Sequence, residues 1–98
     1  GSLEKFRKRV REDITVFPGT TIKSEGKATI DQLPAYWFDY HFPAQGGEMQ
    51  GRLYLFSRNQ GFYRIICLSS QKNFERYLPT FEHIVQSFTF VTERESGS

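Results

Sequence analysis

With 98 residues the chain builds one hydrophobic core at most, so a two-domain organisation is excluded. Thirteen Lys and Arg against eleven Asp and Glu leave a net charge of +2, too balanced for a dedicated binder of duplex nucleic acid. Hydrophobic residues at 38%, with fifteen of the sixteen aromatics being Phe or Tyr, exclude the disordered class.

A single cysteine, Cys67, allows no intrachain disulfide and no cysteine-rich zinc site. The two histidines lie forty-two positions apart and offer little to a metal, so neither metal nor cofactor is expected. No apolar run approaches the roughly 20 residues of a membrane span, and no secretory leader pattern opens the chain. Gly1-Ser2 reads as a protease scar and Glu95-Ser96-Gly97-Ser98 as a tag or linker remnant. Absence of a leader from such a chain does not identify its compartment.

Leu3, Phe6, Val10 and Ile14 recur at spacings of three and four among charged residues, which predicts an amphipathic helix over about 3–14 with Ser2 as N-cap. Phe17-Pro18-Gly19 stops it. Thr20 to Ile30 predicts an edge-like strand, with Gly26 at a bulge or bend. Asp31-Gln32-Leu33-Pro34 then makes a short connection. Ala35 to Phe42 is the clearest strand: Tyr36, Phe38, Tyr40 and Phe42 fall on one face, and Ala35, Trp37, Asp39 and His41 on the other. Pro43 to Glu48, centred on Gly46-Gly47, predicts a hairpin loop into a strand from Met49 to Ser57, where Gly51, Leu53 and Leu55 alternate with Arg52, Tyr54 and Phe56. Arg58-Asn59-Gln60-Gly61 turns the chain into a further strand from Phe62 to Leu68. Ser69-Ser70 supplies an expected N-cap for a helical pattern of Phe74, Tyr77, Leu78, Phe81, Ile84, Val85 and Phe88, which Pro79 should kink or restart. Phe88 to Val91 alternates as a terminal strand would.

The sum is an α+β fold: an antiparallel sheet of about four strands in α-β-β-β-β-α order with helices packed on it. Neither sheet face is polar, so both need covering. A helix on each face, or a dimer, satisfies this better than an exposed aromatic patch. An open sheet edge adds to the expectation of a homodimer.

Three stretches, Gly51-Arg52-Leu53-Tyr54-Leu55-Phe56, Gly61-Phe62-Tyr63-Arg64-Ile65-Ile66-Cys67 and Phe74 through Phe90, resemble the PsbP/DcrB-like superfamily. Members end in a strand, a small polar break and a helix patterned Phe…Pro-x-Phe-x-x-Ile-x-x-Ser-Phe-x-Phe. The corner Asp31-Gln32-Leu33-Pro34-Ala35-Tyr36 is similar to the family's turn before its long central strand, and the resemblance spans about residues 3–91. Family members carry further strands ahead of the first helix, which this chain lacks. The resemblance therefore implies either a piece of a longer domain or a compact form completed by another chain. It implies a non-catalytic accessory or protein-binding role, with another protein or a second copy as partner. It allows periplasm or envelope, thylakoid lumen, or cytoplasm.

Candidate sites follow from the faces. Tyr36, Phe38, Tyr40 and Tyr54 with Arg52 and Arg64 are candidate binding residues. Lys5, Arg7, Lys8, Arg9 and Arg11 form a basic face. An aromatic strand plus a basic helix is the alternative that would suit single-stranded nucleic acid. Asp39 and His41, about 7 Å apart along one strand face, with Arg52 or Arg64, are the alternative of a small hydrolase or isomerase. No nucleophile elbow, phosphate loop or paired catalytic carboxylates occur, so no catalytic residue is assigned. His83 is expected to face solvent, and Cys67 to be a small buried hydrophobe.

Overall fold

The computed structural model describes residues 2–90; the alternation expected at Val91 and the two terminal remnants at Gly1 and 95–98 lie outside the described residues. Helix α1 (Ser2–Val16) leads into strands β1 (Thr21–Ile30), β2 (Leu33–Ala44), β3 (Gly47–Arg58) and β4 (Gly61–Ser70). A single 3-10 turn (Gln71–Asn73) precedes helix α2 (Phe74–Ser87). The sheet is an antiparallel meander in the order β1-β2-β3-β4, each strand pairing with its predecessor. The α-β-β-β-β-α order read from the sequence is the order found.

Alternation explains how the layers sort. On one face Phe38, Leu53 and Leu55 form a buried cluster with Val10 of α1, joined by Phe6, Ile14, Ile22 and Tyr40. On the other, Ile30, Ala35, Tyr54 and Phe56 close against Val85 of α2, with Trp37, Ile65, Phe88 and Phe90 packed around them. A helix therefore lies on each face, which gives the two-sided apolar sheet its two coverings.

Several boundaries differ from those expected, and each has a local cause. Asp31 and Gln32 alone turn β1 into β2, both at positive φ (48° and 66°), so Leu33 and Pro34 belong to β2 and pair with Ile30 and Thr29. Asn59 and Gln60 repeat this geometry (50° and 68°) between β3 and β4, matching the twist of a two-residue hairpin. The expected Pro43–Glu48 loop contracts to Gln45-Gly46, because Pro43 and Ala44 stay in register opposite Glu48 and Gly47. Ser69 and Ser70 continue β4 opposite Gln50 and Met49, and the Ser70 side chain caps nothing.

Helix α1 starts at Ser2, so that residue is inside the helix, not its cap, and α1 runs on to Val16. Pro79 neither ends nor restarts α2. It sits in the second turn of the helix, where its missing N–H forfeits one backbone hydrogen bond. The packing of Phe74 and Val85, both buried, outweighs that loss. Phe88, Thr89 and Phe90 form no strand; the Phe90 amide instead donates to the Asp31 carboxylate (3.3 Å).

Candidate functional site

The pairing of β2 with β3 puts Asp39 directly opposite Arg52. Arg52 Nε and Nη2 donate to the two Asp39 carboxylate oxygens at 2.6 and 2.8 Å, a forked ion pair whose side chains are about one-tenth exposed (11% and 10%). The guanidinium also stacks over the Trp37 ring at 4.2 Å, with Glu82 of α2 at 3.6 Å from its remaining nitrogen. Hydrogen bonding to Asp39 raises the Arg52 pKa, so this cation is fixed. On the far side of Trp37, Gly26 leaves room for the indole: a Cβ there would lie 2.7 Å from the ring. Gly26 is thus a close-approach position, while the bulge in β1 falls between Ile22 and Ser24.

This arrangement separates the residues of the candidate acid/base pair. Asp39 has both oxygens engaged by Arg52. His41 shares the face but faces Glu48 (3.3 Å), and Arg64, opposite Leu55, points to the other side of the sheet. Among the described residues no group of three His, Cys, Asp or Glu could hold a metal ion. Cys67 is buried, and burial pushes its thiol up. His83 is exposed on α2.

Of the aromatic candidates, Phe38 and Tyr54 are buried, and burial raises the Tyr54 phenol. Tyr40 is half-buried against Gly51, where a Cβ would lie 2.9 Å from its ring, and its phenol is likewise raised by burial. Tyr36 donates to Glu4 of α1 (2.8 Å). Of the ladder, Phe38 is thus sheet core under α1, Tyr36 is tied to that helix, and Tyr40 and Phe42 are half-buried. Within the basic helix, Arg7 bonds Glu4 and Glu25 (both 2.8 Å), and Arg11 reaches Glu25 (3.3 Å). The Arg7 and Tyr36 hydrogen bonds hold the Glu4 carboxyl down at about 2. Lys5, Lys8 and Arg9 stay exposed and make no ion pair among the described residues.

The concave surface beside α1 is mostly apolar. Helix α1 covers β2 and β3 and meets β4 through Phe6 against Phe62 (4.5 Å between ring centroids). Beside its C-terminal half lies a hollow of about 490 Å³ walled by Ile14, Phe17, Tyr40, Phe42, Leu53 and Ile66, with Asp13 and Arg64 also lining it. Beside it Val16, Phe17 and Leu68 are exposed. The hollow's size and its apolar lining with a few polar groups make it the candidate site. Of the six binding candidates, only Tyr40 and Arg64 border it. Phe17 and Ile66 escape the sequence reading because periodicity assigns an apolar residue to a face without saying how far the covering helix reaches. No helix of the described residues is long and apolar enough to cross a membrane.

The architecture can be set against known proteins. A family model described as PsbP-like protein matches residues 3–90. The chain belongs to the PsbP-like family. Among solved structures, this PsbP-like chain is similar to PA94 from Pseudomonas aeruginosa, a protein of unknown function assigned provisionally as a regulator. The TM-score is 0.77 at 12% identity, with 94% of this chain and 64% of that one covered. At that identity the likeness concerns the fold alone, and this chain spans just under two thirds of the other's length. No curated protein matches in sequence.

Proposed function

We propose that this PsbP-like domain is a non-enzymatic accessory module that acts by binding another protein. One observation carries the reading: the side chains with chemical potential hold the fold together, while the open concavity beside α1 is apolar. Asp39 and Arg52 are consumed in fixing Trp37 between strands. Phe17, 67% exposed, stands on the wall of the hollow at the end of α1, where a protein partner's apolar side chain would bury it. Membership of a generally non-catalytic family supports the same reading.

The test uses the full chain, immobilised and exposed to extract of the cells that produce it. A different protein recovered in near-equal amount, and reduced about tenfold or more by Phe17→Asp, is expected. Turnover of a substrate that is abolished by Asp39→Asn or His41→Ala in a folded variant would refute the proposal.

A further inference from the structure

The two edges of the sheet are built differently. β1 carries Lys23, Glu25 and Lys27, all exposed, and its register slips at a bulge between Ile22 and Ser24. Charge and bulging are the devices that stop an edge from pairing with another strand. β4 has neither. Its ten residues pair with β3 without interruption over Gly61–Ser70, and Arg64 is their one charge.

Nor are its flanks closed. On the α1 side Phe62, Ile66 and Leu68 are 43%, 50% and 47% exposed, and Ile66 lines the hollow of about 490 Å³. On the α2 side Ile65 lines a second hollow of about 450 Å³ with Ile84 and Phe88. Tyr63 and Ile84 are also exposed there. Unfilled apolar space on both faces of one edge strand fits an additional strand that is itself apolar on both faces. β4 is such a strand.

We infer that β4 pairs antiparallel with β4 of a second copy about a twofold axis at Ile65, joining two four-stranded sheets into one. In that register Ile65 faces its counterpart, Phe62 faces Leu68, Tyr63 faces Cys67 and Arg64 faces Ile66, so apolar pairs dominate and like charges are never directly opposed. Phe62, Tyr63, Ile66, Leu68 and Ile84 each expose roughly half of an accessible area of about 200 Å². Together they offer about 500 Å² per copy and about 1,000 Å² per pair, which reaches the threshold of a specific interface before strand hydrogen bonds are counted. The inference deepens the binding-module reading and rests on it only for its purpose.

Sedimentation equilibrium of the full chain, from micromolar to about 500 μM, is the test. The expected mass at the top of the range is twice 11.5 kDa, falling toward 11.5 kDa on dilution. Ile66→Lys weakens association at least about tenfold, while Thr29→Lys on β1 leaves it unchanged. In a Cys67→Ser background, Ile65→Cys forms an intermolecular disulfide under mild oxidation, which fixes the register even if Ile66→Lys folds poorly. A mass of 11.5 kDa throughout, or a dimer that a folded Ile66→Lys leaves intact and that Ile65→Cys does not cross-link, overturns the inference. Either failure leaves recovery of a different protein partner untouched, and turnover at Asp39 would sink the accessory reading without altering the mass.

Discussion

Replacing Arg52 by methionine leaves Asp39 buried at 7% exposure without its cation. Two charge-assisted bonds at 2.6 and 2.8 Å disappear, and among the described residues the Ser24 hydroxyl at 3.4 Å is the one side-chain donor remaining to the carboxylate. Removing one partner of a buried pair costs about 3–5 kcal/mol, because the surviving charge is left uncompensated. Here the pair retains some contact with solvent, so the low end, about 3 kcal/mol, is expected. In a domain of this length that lowers the melting temperature by roughly 12–24 °C. The double variant Arg52→Met, Asp39→Leu removes both charges and recovers most of the loss, as apolar replacements of buried pairs commonly do. Urea unfolding followed by Trp37 fluorescence measures both, since the guanidinium lies 4.2 Å from the only indole. A loss below about 1 kcal/mol for Arg52→Met, or a double variant as damaged as the sum of the singles, would refute the reasoning.

Two further outcomes concern stability. Gln60 holds φ 68° in a two-residue turn, a conformation costing a side-chain-bearing residue about 1–2 kcal/mol. Gln60→Gly should therefore stabilise by about 0.5 kcal/mol after glycine's greater unfolded-state freedom is subtracted, and a lower melting temperature would count against it. The second is pH-dependent. Because the Glu4 carboxyl is held at about 2, below its usual 4.5, its contribution is complete above the usual value and is lost as pH falls through about 2. The melting-temperature gap between wild type and Glu4→Gln should stay constant from about pH 7 to 5 and close toward about pH 2. A gap already closed by about pH 5 would show that Arg7 and Tyr36 do not grip the carboxylate.

Much of the fold is legible because β2 and β3 alternate cleanly and the α1 stripe is strict. The Tyr36 and Trp37 faces separate as periodicity demands, and each receives a helix. Turn positions are less legible. Asp31-Gln32 contains no glycine, so its two positive φ values have no compositional signal, and the proline after Leu33 suggests a loop where a strand has begun. Ser69-Ser70 matches a cap motif, yet β3 still offers pairing partners there, and the ladder wins. The candidate site was half visible. Asp39 could be placed near an arginine, but choosing Arg52 over Arg64 needs the strand pairing, which sets Arg52 opposite Asp39 on the neighbouring strand and leaves Arg64, two strands away, on the other face. How far α1 reaches across the sheet depends on a crossing angle, and one sequence does not encode that in any periodicity.

Every strand after β1 in this sheet lies beside the one synthesised just before it. Hairpins of this kind close in about 1–10 μs, so assembly can zip strand by strand without waiting for distant segments to meet. Adjacent-neighbour wiring thus gives a predominantly β layer the rapid route to order more familiar from helical bundles, and leaves the terminal helices as latches on opposite sides.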